Sequence, residues 1–158
     1  MYQGNVRDFD VRFAAVEDTV KTWATSFLDV GCAEGRFAAG LAKYGRSVGV
    51  DYLPAKFDGF EFVRSRVDAD AVDRLGSFDV TLLLSVLHHM PDGNDVFDVA
   101  CRNSRMVIVE LPESGEKFRH RKFDVSAVRK VMESDGVPLC STRSVYGSHM
   151  RTVWAYQC

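Results

Sequence analysis

The sequence predicts an α/β protein built on an open, mostly parallel sheet, and three stretches carry that expectation. A short apolar run, Phe27 to Val30, stops at a loop of small residues, Gly31-Cys32-Ala33-Glu34-Gly35, and apolar residues at helical spacing follow it. A second run, Thr81 to Leu84, is continuously apolar instead of alternating, as in a central parallel strand covered on both faces. A third, Arg105 to Glu110, follows a helical stretch and reads as another buried strand. Strand, tight loop and helix within about twenty residues make the first half of a βαβ unit, and ligands of such sheets bind outside the carboxyl ends of the strands.

Composition narrows the class. At 158 residues the chain suits a single domain, 1–158, with an amino-terminal segment, 1–25, ahead of a core, 26–158. A hydrophobic share of 46%, a charged share of 27% and a net charge of −2 are those of an ordinary globular protein and give no polyanion-binding signature. No window offers the roughly 18 apolar residues of a membrane helix, and Arg7, Asp8, Asp10 and Arg12 interrupt any signal-peptide core, so the expected setting is cytoplasmic, without a membrane partner. Cys32, Cys101, Cys140 and Cys158 show neither a C-x-x-C pair nor a metal spacing and read as free thiols. Nothing in the chain specifies an oligomeric state.

Taken in order, Phe9, Phe13, Val16 and Val20 recur at helical intervals and predict a short amphipathic cap helix. After the loop, Phe37, Leu41 and Ala42 predict a helix that stops at Gly45. Ser47 to Asp51 is the second strand, and an acid at its end, about twenty residues past the glycine loop, is placed to accept hydrogen bonds from ribose hydroxyls. Pro54 to Asp68 leaves room for only a turn or two of helix and a strand, Phe60 to Val67, so the crossover is abbreviated. A helix is expected from Asp92 to Arg102 and another from Asp124 onward, ending at Asp135-Gly136. Val137 to Val145 and Arg151 to Tyr156, joined through Tyr146-Gly147-Ser148-His149-Met150, predict a closing antiparallel hairpin. The basic run Lys117 to Lys122 reads first as a solvated face; nucleic acid is possible but not indicated.

The glycine loop discriminates between ligands. A dinucleotide fingerprint sets a pyrophosphate against G-x-G-x-x-G, whereas here the spacing is Asp29-x-Gly31-x-Ala33-x-Gly35 with Glu34 inside it. A pyrophosphate would meet two carboxylates, and a ligand bearing an ammonium or sulfonium is favoured instead. Leu28-Asp29-Val30-Gly31-Cys32-Ala33-Glu34-Gly35 resembles the first motif of class I S-adenosylmethionine-dependent methyltransferases, with alanine at Ala33 where glycine is usual.

The resemblance implies a three-layer α/β/α, Rossmann-like fold with a mostly parallel seven-stranded sheet and an antiparallel last strand. It also implies S-adenosyl-L-methionine as cofactor. Asp29 would lie near the methionine ammonium, Gly31, Cys32, Ala33 and Gly35 would allow close approach, and Asp51, Tyr52 and Leu53 would meet the ribose end. The family places one acid at the adenine amino group, and in Asp68-Ala69-Asp70 either acid suits. Ser85-Val86-Leu87-His88-His89-Met90 resembles the fourth-strand motif that lines the cleft between cofactor and acceptor, where Ser85 meets the cofactor and His89, or else His88, serves as a base. In the family the amino-terminal segment closes over the cofactor, which makes Tyr2, Arg7, Arg12 and Phe13 candidate contacts.

The reaction so implied is an in-line displacement on the activated methyl, which asks the protein mainly for positioning and desolvation. The chain lacks an Asn- or Asp-Pro-Pro-aromatic signature, a Pro-Cys nucleophile and the acid cluster of catechol-type enzymes. Base-amino and cytosine-carbon methylation are thereby demoted, and a metal-free reaction on an unidentified, small methyl acceptor is expected. A methyltransferase acting on RNA or protein, a non-catalytic cofactor-binding partner and a nicotinamide oxidoreductase are the alternatives.

Overall fold

The computed structural model describes residues 8–116, 123–144 and 148–158, and each expected apolar run is a strand in it. The strands are β1 (Ser26–Val30), β2 (Arg46–Asp51), β3 (Glu61–Arg64), β4 (Phe78–Leu84), β5 (Ser104–Leu111), β6 (Val137–Arg143) and β7 (Met150–Gln157). The helices are α1 (Phe9–Val20), α2 (Arg36–Leu41), α3 (Ala69–Arg74), α4 (Gly93–Asn103) and α5 (Ser126–Asp135). They surround one seven-stranded sheet in the order β3-β2-β1-β4-β5-β7-β6. Strands β1 to β5 run parallel, and β7 enters antiparallel between β5 and β6, as expected for the last strand.

Two cores cover the two faces. Val48, Val50, Leu83 and Val109 face the side where α3, α4 and α5 supply Val72, Phe97 and Met132. Phe27, Val80, Leu82 and Ile108 face α1 and α2, which supply Val16, Val20, Phe37 and Leu41. Because Leu82 and Leu83 look to opposite faces and both are fully buried, β4 has no polar alternation to show. Helix α1 buries Arg12, Val16 and Val20, a four-residue spacing that keeps one stripe against the sheet.

Two local expectations need correction. No helix forms between β2 and β3: the chain from 52 to 60 is irregular, because the Lys56 and Phe57 amides donate to the Glu34 carbonyl (3.0 and 3.1 Å) instead of to a helical turn. Pairing with β2 ends at Asp51 opposite Arg64, so β3 stops there and not at Val67. Conversely, α3 begins where the sequence reading has a loop. Asp68 is its N-cap, accepting from the Ala71 amide at 2.8 Å, and an Asp N-cap with Asp70 in the first turn is the signal that marks it. Tyr2, Arg7, Lys117 to Lys122, Tyr146 and Gly147 lie outside the described residues. Among the described residues no helix is long and apolar enough to cross a membrane.

Candidate functional site

The loop after β1 turns on three consecutive alternate residues in the left-handed region: Gly31 at φ +67°, Ala33 at +53° and Gly35 at +87°. Ala33 therefore occupies a conformation that glycine adopts at less cost, which explains the family's usual residue there. The Gly31 and Cys32 amides donate to the Val50 carbonyl (2.8 and 3.1 Å), tying the loop to β2. Asp51, 1% exposed, completes the tie: Oδ2 accepts from the Ala33 amide and Oδ1 from the Leu53 amide, both at 2.9 Å. The acid expected to meet ribose thus also holds the two loops between which a ribose would lie.

The glycines serve packing as well as approach. A Cβ on Gly31 would stand 2.4 Å from Val86 Cγ2, and one on Gly35 would stand 2.3 Å from the Phe60 ring. The space beside Gly31 is therefore not only ligand space, as the loop sequence suggests, but is already taken by the chain leaving β4.

Over this loop lies an open cleft lined by the loop itself and by Arg12, Asp29, Arg36, Phe37 and Leu84. Asp29 is buried within β1, and desolvation raises its carboxyl to about 7, against the pull of the Ala38 amide and Arg12. Glu34, the second carboxylate of the loop, is paired with Lys56. Arg36 lies between two rings, 5.0 Å from Phe9 and 5.2 Å from Phe57, so α1 and the 52–60 segment meet above α2. Burial, with Asp29 and Asp51 nearby, pushes the Cys32 thiol far up, as suits a small apolar loop residue.

The remaining expected residues fall into place unevenly. Tyr52 is 60% exposed beside Leu53 at the carboxyl edge. The Ala69 amide donates to Asp92 Oδ2 at 2.9 Å, Asp68 is fixed by its cap, and Asp70 is exposed on the first turn of α3. His88 and His89 sit on a 3-10 turn, Leu87–His89, with rings 4.1 Å apart; His88 is fully buried, His89 is exposed, and neither lines the cleft. Phe13 stacks on Phe9 and packs against Phe37, which lines the cleft; Phe13 itself does not line it.

What sequence reasoning missed lies on the other side of β1. Arg12 pairs with Glu110 at the end of β5 (3.0 Å), and Arg151 at the head of β7 pairs with Glu116 (2.5 Å). All four are buried. Ser85, at φ +58° just past β4, hydrogen-bonds both to Glu110 and to Arg151. The sequence offers Arg12 and Ser85 singly as candidate contacts, and for their partners its signal is no more than a charged residue ending or starting an apolar strand.

The residues present suit an S-adenosylmethionine-type ligand: a desolvated carboxyl in the cleft is available to a cationic group, and the small residues of the loop line the space beside it. A family model described as a methyltransferase domain matches residues 28–105. No curated protein is similar at a significant level. Among solved structures, the fold is similar to WbdD, a bifunctional kinase-methyltransferase (21% identity, TM-score 0.73, 96% of this chain and 36% of that one). It is also similar to the N-terminal domain of EvdMO1 with SAH bound (15%, 0.72, 100% and 85%). A third is the N-methyltransferase NodS from Bradyrhizobium japonicum WM9 in complex with S-adenosyl-l-homocysteine (13%, 0.73, 99% and 90%). The chain thus spans about a third of WbdD and most of the other two, and these likenesses speak to the fold. With the family match lying over the glycine loop and the central strands of that fold, the chain carries a class I, S-adenosylmethionine-dependent methyltransferase domain.

Proposed function

We propose that this domain transfers the methyl group of S-adenosylmethionine to a small-molecule acceptor by in-line displacement. The observation that carries this reading is the cleft over the β1 loop, where buried Asp29 faces a space lined by the small residues of that loop and by Arg12. The cofactor supplies the electrophilic methyl. Asp29 attracts the ammonium; Gly31, Cys32, Ala33 and Gly35 let the ligand lie on the backbone; Asp51, with Tyr52 and Leu53, receives the ribose. Of the two candidate acids near adenine, Asp68 is favoured over Asp70 because its cap holds it in place beside Ala69. Ser85 borders the methyl, and His89, exposed near the same edge but outside the lining of the cleft, is the competing candidate for a base.

A small acceptor suits a chain with no inserted substrate domain between its strands. The EvdMO1 domain has been crystallised in the presence of SAH and D-fucose, a small polyhydroxylated molecule, which supports that size class. Calorimetry with S-adenosylhomocysteine tests the ligand, with saturable binding expected and its absence refuting the reading. A radiolabelled-methyl screen over metabolites, RNA and protein then tests the acceptor class, and label found only in macromolecules would displace the small-molecule reading.

A further inference from the structure

Two buried ion pairs meet at one hydroxyl. Arg12 Nη2 donates to Glu110 Oε2 at 3.0 Å, and the Ser85 hydroxyl donates to that same oxygen. From the opposite side, Arg151 donates through Nη1 to Ser85 Oγ at 2.9 Å while its Nε and Nη2 grip Glu116 at 3.0 and 2.5 Å. The directions are forced. A guanidinium can only donate and an ionised carboxylate can only accept, so Ser85 Oγ must accept from Arg151 and must aim its own proton at Glu110.

Position adds to this. Ser85 follows Leu84, which lines the cleft, and precedes Val86, which packs against Gly31. Its backbone is held at φ +58°, a left-handed conformation that is strained for a non-glycine residue. Buried ion pairs are seldom worth more than apolar residues of the same volume. Strain and buried charge therefore coincide at the rim of the cleft, where stability alone gives no reason to keep them.

We propose that Ser85 takes the proton of the methyl acceptor and passes its own to Glu110. This rests on the methyl-transfer reading above. A lone pair on the acceptor oxygen or nitrogen forms the bond to the methyl carbon, and the carbon–sulfur bond breaks with its electron pair going to sulfur. The acceptor's proton moves to Ser85 Oγ as the Ser85 proton moves to Glu110 Oε2. The products are the methylated acceptor, S-adenosylhomocysteine and a neutral Glu110. Arg151 stabilises negative charge on Ser85 Oγ during the handover. Such a relay serves an acceptor that arrives protonated, so the acceptor is a hydroxyl or an amine, not a thiolate or a carboxylate.

The test measures S-adenosylhomocysteine affinity by calorimetry and labelled-methyl transfer to a panel of hydroxyl, amine, thiol and carboxylate metabolites. The proteins compared are the parent chain, Glu110→Gln, Ser85→Ala and Ser85→Cys. The parent is expected to methylate a hydroxyl or an amine. Glu110→Gln and Ser85→Ala should each lower kcat about a hundredfold or more while acceptor KM and cofactor affinity stay within about threefold, and Ser85→Cys should restore part of the loss. If Glu110→Gln does not fold, Ser85→Ala, which leaves both ion pairs in place, decides alone. Unchanged kcat in the folded variants, cofactor affinity falling in parallel with kcat, or transfer to thiols and carboxylates only would each overturn the relay. So would a loss of turnover in His89→Gln that Glu110→Gln does not share. A parent chain that binds no S-adenosylhomocysteine refutes the cofactor reading itself, and one that binds it yet methylates nothing in the panel upholds the cofactor and overturns the relay.

Discussion

The carboxyl edge of the sheet is made differently on the two sides of β1. Toward β2, the ligand-facing surface is backbone: amides of the glycine loop, held by one carboxylate, Asp51, and by carbonyl contacts to β2. Toward β4, β5 and β7 the edge is held by side chains: Arg12, which lines the cleft, and behind it Ser85, Glu110, Glu116 and Arg151, drawn from elements far apart in sequence. Backbone surfaces suit a ligand whose shape never changes, since they tolerate little variation. A surface of long charged side chains can be re-cut one residue at a time, which is what a changing acceptor requires.

The side-chain half should break hardest. Arg12→Met leaves Glu110 buried without its guanidinium and is expected to cost about 3–5 kcal/mol of folding stability by urea denaturation. Arg12→Met combined with Glu110→Gln should regain most of that stability, because the uncompensated charge is gone, yet not the turnover. Recovery of both would show the pair to be purely architectural. On the backbone half, Gly31→Val should cost roughly 3 kcal/mol or more, because it sets a branched side chain at φ +67° against Val86. A soluble variant with parental Tm would contradict that packing.

Asp51→Ala should weaken S-adenosylhomocysteine binding by about 1–3 kcal/mol in calorimetry, through the lost ribose contacts and the loosened Ala33 and Leu53 amides together. Full affinity would remove Asp51 from the ligand. The smallest effect is the most diagnostic of charge. With its carboxyl raised to about 7, Asp29 is partly neutral near pH 7, and an ammonium ligand must draw its proton off. Affinity should therefore rise as pH climbs from 6 to 8, by up to about 1.4 kcal/mol per pH unit below the pKa, and Asp29→Asn should flatten the profile. For the free protein the sign reverses: a carboxyl raised on folding adds stability at acid pH, which is lost as pH rises from near 3.8 through about 7.

The two halves differ in legibility for the same reason. The backbone half could be read because left-handed turns and close approach restrict residue type at fixed spacing, so Gly31, Gly35 and Asp51 announce themselves within one βαβ unit. Thr81 to Leu84 and Arg105 to Glu110 were equally plain, since a strand buried on both faces has no other composition open to it. The side-chain half could not be read because its partners are set by topology: Arg151 reaches Ser85 only once β7 has entered beside β5. Helix α3 escapes the sequence reading because its buried residues, Ala71 and Val72, are adjacent and show no helical spacing. The histidines drew notice as a pair, yet the 3-10 turn buries one and sends the other outward.

The Arg12–Glu110 pair also bears on how the chain comes to be folded. Helix α1 precedes every strand of the sheet, but its buried arginine finds its carboxylate 98 residues downstream. At roughly 5–20 residues per second of synthesis, Arg12 of α1 waits about 5–20 s for its carboxylate on β5 to emerge. Closing so long a loop is rewarded only after the parallel core has formed, so docking of α1 is a late event on the pathway. The cleft therefore acquires its roof last, and a nascent chain halted before β5 would hold the glycine loop without the helix that closes over it.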